Sequence, residues 1–161
     1  MKPKNIVIKA EPIAVHISPF GFFHYGKNFF DVAKGFKQSS YYSPVPYFLY
    51  CHSIELILKA FLIGKGVSKK DLKKLYGHDL EKILNTAKNL GLITFVKITP
   101  GQEKEISKAN KYYASKGFEY FEVTKAIKAY PALPDLTLLE KIASELVTCL
   151  ESFCINAKGA P

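Results

Sequence analysis

Apolar residues recur at helical spacing along most of the chain, and short stretches rich in glycine, proline and serine separate the apolar segments. This spacing predicts five helices, over about 18–38, 44–64, 79–90, 99–115 and 137–153. Amphipathic helices joined by short loops are typical of bundles, in which each helix buries its apolar face against its neighbours. The pattern therefore predicts an all-α, up-and-down bundle of about five helices.

The remaining residues divide the chain into an arm and one domain. Residues 1–17 are mixed in character and interrupted by prolines, which predicts a short extended N-terminal arm with room for a strand at Ile6–Ile8. Residues 18–157 are predicted to form a single helical domain. Within it, residues 117–130 are ambiguous, because the pattern fits either a strand-like turn or an irregular crossing.

Helix ends are marked by capping residues. Ser18-Pro19 fits an N-cap followed by the first helical position, Thr99–Gln102 fits a capping box, and Thr137–Glu140 fits a second box. In the first helix we expect Phe22, Phe29, Val32 and Phe36 to form the buried face. Its glycines, Gly26 among them, weaken the helix.

The composition and net charge of the chain indicate which kinds of partner it could bind. The chain has 161 residues, a net charge of +9 and 23 lysine or arginine residues, and every one of the 23 is a lysine. A basic surface attracts nucleic acid or other acidic partners. Lysine supplies point charges without the planar fork of arginine, which suits non-specific backbone contact better than base recognition. The alternative is that the lysines only solvate the surface.

Cysteine and hydropathy patterns favour a cytoplasmic protein. Cys51, Cys149 and Cys154 lie in apolar helical patterns, so we expect buried, reduced thiols rather than disulfides. The longest apolar stretch, residues 44–63, is interrupted by charged and polar residues, and we predict no membrane span. No histidine or cysteine spacing indicates a metal site, and no cofactor is implied.

A thin polar stripe crosses the otherwise apolar second helix. His52, Glu55 and Lys59 fall within roughly 60° of one another at about 100° per residue. Charged side chains on an apolar helix are costly unless they are paired or reach an edge. One interpretation is a semi-buried ion pair that fixes helix packing. The other is a polar groove for a nucleotide, RNA or an acidic peptide.

His78 and Asp79 stand at the start of the third helix. Asp79 could be only a cap, or the pair could contribute to an anion site at a helix start. Antiparallel packing would bring His78 towards the stripe. The lysine run before it includes Lys73 and is either a solvated face or part of a nucleic-acid surface. Further candidates for ligand contact follow the fourth helix, and they are Tyr113, Lys116 and Tyr120.

The segments His52–Leu62 and Gly77–Leu84 together resemble HEPN domains, helical bundles named for higher-eukaryotic and prokaryotic nucleotide binding. The resemblance covers roughly residues 20–155 and is strongest over 47–90. It implies a five-helix bundle that forms a homodimer, often in a toxin–antitoxin or defence context beside a nucleotidyltransferase-like partner. Some relatives are metal-independent ribonucleases, and others are binding modules.

The ribonuclease motif of that family, an arginine followed four to six residues later by a histidine, is absent. The chain has no arginine and no histidine after His78, and the nearest imitation pairs Lys73 with His78. We therefore expect a non-catalytic HEPN-like module that binds nucleotide, RNA or a protein partner. The alternatives are a ribonuclease with an atypical Lys73–His78 pair, and a helper subunit of a nucleotidyltransferase-type partner.

Overall fold

The computed structural model describes residues 18–37, 41–119 and 132–157, and every regular element in these ranges is helical. The α-helices are α1 (Pro19–Gly35), α2 (Val45–Gly64), α3 (Lys69–Asp71), α4 (Leu80–Asn89), α5 (Pro100–Tyr113) and α6 (Leu136–Asn156). A π-helical turn, Leu72–Tyr76, continues α3, and a 3₁₀ turn, Leu92–Thr94, follows α4. The prediction of an all-α bundle is confirmed for the described residues.

α2 is the central helix of this bundle. It contacts α1, α4, α5 and α6, and it is buried nearly all round. By length and composition α2 alone, among the described helices, could cross a membrane, but 67% of its apolar window is buried inside the protein. Such burial is what the core helix of a soluble bundle shows. A charged side chain on α2 therefore has to find its partners within the bundle.

The buried face of α1 differs from the predicted one. Phe23, Phe30 and Ala33 are buried beside Gly26, whereas Val32 is exposed. A Cβ placed on Gly26 would lie 2.6 Å from Cγ1 of Ile57 and 3.1 Å from the carbonyl oxygen of Ser53. Gly26 is thus the point at which α1 crosses α2 closely. This close crossing turns the face of Phe23, Phe30 and Ala33 towards the core, in place of the predicted face.

Several helix ends follow the capping signals. Ser18 accepts from the Gly21 N–H, and Thr99 and Gln102 form the predicted capping box. α1 ends at Gly35 and α5 at Tyr113, slightly before the predicted ends.

The predicted capping box at Thr137–Glu140 is wrong. Asp135 caps α6 instead, and its carboxylate accepts from the Leu138 N–H at 3.1 Å. An aspartate in extended conformation satisfies the same free N–H groups two residues earlier.

The cysteine prediction is confirmed in part. Cys51 and Cys154 are buried free thiols, but Cys149 is exposed. The buried stripe of α6 continues through Val147, Leu150 and Cys154, which directs Cys149 to the outside. The N-terminal arm, its strand at Ile6–Ile8 and most of the ambiguous segment 117–130 lie outside the described residues.

Candidate functional site

Glu55 is the centre of a polar cluster inside the bundle. Its side chain projects from the buried α2 and is only 2% exposed. Three donors reach its carboxylate: Lys59 at 2.5 Å, Tyr113 at 2.5 Å and His78 at 3.0 Å. A buried carboxylate is tolerated only when it is paired and hydrogen-bonded in this way. Three different elements therefore converge on one side chain.

Lys59 supplies the balancing positive charge. It lies one helical turn after Glu55, and its ammonium also donates to the backbone carbonyl oxygen of Gly77 at 2.5 Å. The side chain is almost fully buried and both of these contacts are internal. The predicted semi-buried ion pair is therefore present. It also ties α2 to the loop that carries His78.

That loop is a tight turn between Tyr76 and Asp79. The Asp79 N–H donates to the Tyr76 carbonyl oxygen at 3.0 Å, and Gly77 has φ 52° and ψ −121°. These angles belong to the second position of a type II′ turn, which favours glycine because other residues are strained there. The turn directs the Gly77 carbonyl to Lys59 and places the His78 ring against Glu55.

Tyr113 closes the cluster from the other side. It is the last residue of α5, it is buried, and its hydroxyl donates to Glu55. Burial and the neighbouring negative charge of Glu55 raise the pKa of the Tyr113 phenol far above its ordinary value. The phenol therefore keeps its proton and acts as a fixed donor.

His52 is the outer member of the network. Its Nδ1 lies 2.7 Å from the Tyr113 hydroxyl oxygen, and its ring packs edge-on against Phe29 and parallel to Phe48. Burial among these rings lowers the pKa of the His52 imidazole, and the nearby Glu55 opposes that shift only in part. His52 therefore favours the neutral form.

The network assigns the protons of both histidines. Burial acts to raise the pKa of Glu55, but the charge of Lys59 and the hydrogen bonds from its three donors outweigh it and hold that pKa below its ordinary value. An ionised carboxylate only accepts, so the His78 Nδ1–H donates to it. The single proton of Tyr113 also goes to Glu55, so the Tyr113 oxygen accepts from the His52 Nδ1–H.

In its neutral form, each imidazole consequently carries its free lone pair on Nε2. The side chains of His52 and His78 remain 23% and 40% exposed, whereas Glu55, Lys59 and Tyr113 are withdrawn from solvent. With Nδ1 held inward, Nε2 is the atom left to accept a proton or, once protonated, to donate to an anion. The site thus presents two oriented imidazoles beside the buried Glu55–Lys59 ion pair, in which the two charges balance.

Asp79 has a different environment from the other four predicted site residues. Its carboxylate accepts from the Lys82 N–H at 3.0 Å as the N-cap of α4, and from the side-chain amide of Asn110 at 3.0 Å. Asn110 in turn accepts from the Leu80 N–H at 2.8 Å. Asp79 and Asn110 therefore join α4 to α5, which fixes the distance between the His78 turn and Tyr113.

The secondary candidates are scattered. Tyr113 is in the cluster, whereas Lys73 is exposed on the π-helical turn and Lys116 is exposed in the turn after α5, with φ 60°. Tyr120 lies outside the described residues. His78 forms a hydrogen bond with Glu55 and a ring contact with Tyr113, and among the described residues no hydrogen bond joins it to Lys73.

Three contributors to this site were not predicted as site residues. Phe29 and Phe48 enclose His52, and Asn110 links the two helices that hold His78 and Tyr113. The position of Phe48 one turn before His52 was the only available signal, because helix residues four apart share a face.

The described residues contain no group of three or more histidine, cysteine or acidic side chains arranged to hold a metal ion. No family model, curated protein or solved structure matches the chain. The chemistry of the Glu55 cluster itself is therefore the basis on which a function can be assigned.

Proposed function

We propose that the protein is a HEPN-like helical module that binds a nucleotide or RNA through His52 and His78. One observation carries the proposal: a single buried carboxylate, Glu55, orients both partly exposed imidazoles with their Nδ1 atoms inward, directly at 3.0 Å and through Tyr113. A role in helix packing would account for the Glu55–Lys59 pair, but it would not account for two partly exposed histidines beside that pair.

Phosphate is the ligand chemistry that suits this arrangement. Lys59 already donates hydrogen bonds to Glu55 and Gly77, so the two histidines are the cluster members that can hydrogen-bond to a ligand. A phosphate beside an imidazole favours its protonated form, which then donates a charge-assisted hydrogen bond from Nε2. The net charge of +9 adds long-range attraction for such anions.

The wider setting follows from the resemblance to HEPN domains. The proposal therefore includes a homodimer in a toxin–antitoxin or defence system, with a nucleotidyltransferase-like partner. It keeps the cytoplasmic location expected from the cysteine and hydropathy patterns. Purification of the tagged protein from its native source, followed by identification of co-purifying chains and measurement of the oligomeric state, tests these elements separately from ligand binding.

The central experiment compares binding by wild type, His78→Ala and His52→Ala with binding by a matched control, His24→Ala. His24 is exposed on α1 and stacks on Phe20, away from the cluster. Adenosine monophosphate and a short oligouridylate are titrated by calorimetry, and circular dichroism confirms that each variant is folded. Loss of a charge-assisted hydrogen bond of about 1.5–3 kcal/mol corresponds to affinity weaker by about 10- to 100-fold.

We expect that loss for either cluster variant and unchanged affinity for His24→Ala. A folded wild type that binds neither ligand rejects the proposal. So does wild-type affinity in both His52→Ala and His78→Ala.

The paired imidazoles also favour a second candidate, a metal-independent ribonuclease in which His52 replaces Lys73 as the companion of His78. One neutral Nε2 would remove the proton of the ribose 2′-hydroxyl as its oxygen attacks phosphorus. The other imidazole, protonated, would give a proton to the departing 5′-oxygen, leaving a 2′,3′-cyclic phosphate. Both histidines have the solvent exposure that this exchange needs.

Incubation of RNA with excess chelator tests this candidate. Cleavage that disappears in both His52→Ala and His78→Ala, and persists in His24→Ala, establishes the activity. If the folded wild type binds the oligouridylate but the RNA stays intact, the protein is a binding module and the ribonuclease candidate is rejected.

A further inference from the structure

Four lysines form a ridge directly before the His78 turn. They are Lys69, Lys70, Lys73 and Lys74, and all are exposed on α3 and the π-helical turn. All four side chains are directed to solvent. On the inner side Leu72 is buried against the bundle. The segment is therefore anchored, and its exposed side chains are the four lysines and Leu75.

Within six consecutive residues the ridge places four lysines that have no carboxylate partner among the described residues; single exposed lysines elsewhere, such as Lys104 and Lys141, also have none. Lys27, Lys88 and Lys108 each form an ion pair with a nearby acidic residue. Within residues 18–37, 41–119 and 132–157, no carboxylate pairs with any of the four ridge lysines. The one acidic residue of the segment, Asp71, accepts from the Ser68 hydroxyl at 2.7 Å.

The ridge is rigidly connected to the histidine site. Its last turn leads into Tyr76–Asp79, where the Gly77 carbonyl accepts from Lys59 and His78 donates to Glu55. Lys69 and Lys74 are five residues apart, which corresponds to about one turn of this segment. With the reach of the lysine side chains added, this length allows the ridge to contact more than one phosphate. These phosphates would be additional to one bound at His78.

We propose that the ridge carries the backbone of single-stranded nucleic acid, so that the natural ligand is a polynucleotide rather than a mononucleotide. This inference rests on the proposed function, because it requires one phosphate of the strand to reach the histidines. His52 is only 23% exposed, so a flexible strand can bend towards it more readily than a stiff duplex. Lysine point charges fit backbone contact without base selection.

The salt dependence of the binding affinity distinguishes direct phosphate contacts by the ridge from the general attraction of a basic protein for nucleic acid. The affinity for a fluorescein-labelled oligouridylate is measured by anisotropy over a range of salt concentrations, for wild type and for Lys73→Gln/Lys74→Gln. The control is Lys104→Gln/Lys141→Gln, which removes the same charge from exposed positions on α5 and α6. Calorimetry with adenosine monophosphate is run on all three proteins.

We expect the ridge variant to lower the slope of log affinity against log salt by about 1.4, since each phosphate contact on a single strand contributes about 0.7. The control should keep the wild-type slope, and binding of adenosine monophosphate should be unchanged in both variants. An oligothymidylate that shows the same ridge dependence supports the same backbone chemistry.

Three results overturn the inference. They are an unchanged slope in the ridge variant, an equal loss in the control variant, and a duplex RNA that binds as tightly as the single strand. Each of these can occur while adenosine monophosphate still binds in a His78-dependent manner, so the proposed function would stand. Failure of both ligands to bind wild type would instead remove the proposed function and this inference together.

Discussion

Tyr113 at the end of α5 donates a 2.5 Å hydrogen bond to Glu55 on α2, although 58 positions separate them in the chain. The same hydroxyl oxygen accepts from His52, so one phenol connects the buried carboxylate to a partly exposed imidazole. Nearby, Asn110 binds both Asp79 and the Leu80 N–H, which fixes α5 against the start of α4. The position of His52 therefore depends on how α5 packs.

Tyr113→Phe should test this dependence without changing the shape of the core. The variant leaves Glu55 short of one donor and the His52 Nδ1–H without its acceptor. An unsatisfied buried polar group costs about 1–3 kcal/mol, so we expect a loss of that size in the free energy of unfolding by urea. We also expect ¹⁵N NMR to show His52 leaving the Nδ1–H tautomer. Tyr25→Phe, at an exposed position on α1, is the control; equal stability of the two variants would contradict the proposed hydrogen-bond arrangement.

Glu55→Gln should change how stability responds to acid. The pKa of Glu55 in the folded protein lies below its ordinary value of 4.5, so the unfolded chain takes up the proton first as pH falls. The resulting stabilisation is present above pH 4.5 and is lost as pH falls through the folded-state pKa. At neutral pH the variant leaves Lys59 buried without its counter-charge, which costs about 3–5 kcal/mol.

The measurement is the free energy of unfolding at several pH values between neutral and strongly acidic. We expect the curve of Glu55→Gln to be flatter than that of wild type below pH 4.5. Asp31→Asn, which removes the exposed partner of Lys27, should keep the wild-type slope. Parallel curves for wild type and Glu55→Gln would show that Glu55 is not held in its ionised form.

Gly26→Ala should destabilise the protein even though alanine is the better helix former. The new methyl group would meet Cγ1 of Ile57 at 2.6 Å, and overpacking of this kind costs about 1–3 kcal/mol. Gly35→Ala is the matched control, because a Cβ there meets nothing within 4 Å. Urea unfolding of both variants gives the comparison. A Gly26→Ala protein more stable than wild type would mean that α1 does not cross α2 at this residue.

The three thiols should differ in reactivity towards a disulfide reagent such as Ellman's reagent. Cys149 is exposed and should react in the folded protein. Cys51 and Cys154 are buried, and burial raises the pKa of the Cys154 thiol to about 12 and that of Cys51 still further. Both should react only after unfolding, because the thiolate is the reactive form. Peptide mapping after partial labelling identifies which thiol reacted, and early labelling of Cys51 would contradict the burial of α2.

The helical character of this protein and much of its local detail follow from the amino-acid sequence alone. Periodicity and capping chemistry act over a few residues, so the Ser18 cap and the Thr99–Gln102 box could both be predicted. The His52, Glu55 and Lys59 stripe was visible for the same reason, since it depends only on helix geometry.

The contacts of that stripe, in contrast, depend on long-range packing. The convergence of His78 and Tyr113 on Glu55 depends on the turn at Gly77 and on the packing of α5, which bring together residues 23 and 58 positions away. The rotation of α1 was likewise set by the close crossing at Gly26, a position that helix propensity treats as a weakness. Long-range packing selects among faces and partners that local preferences leave equally available, and it places two histidines over one buried carboxylate.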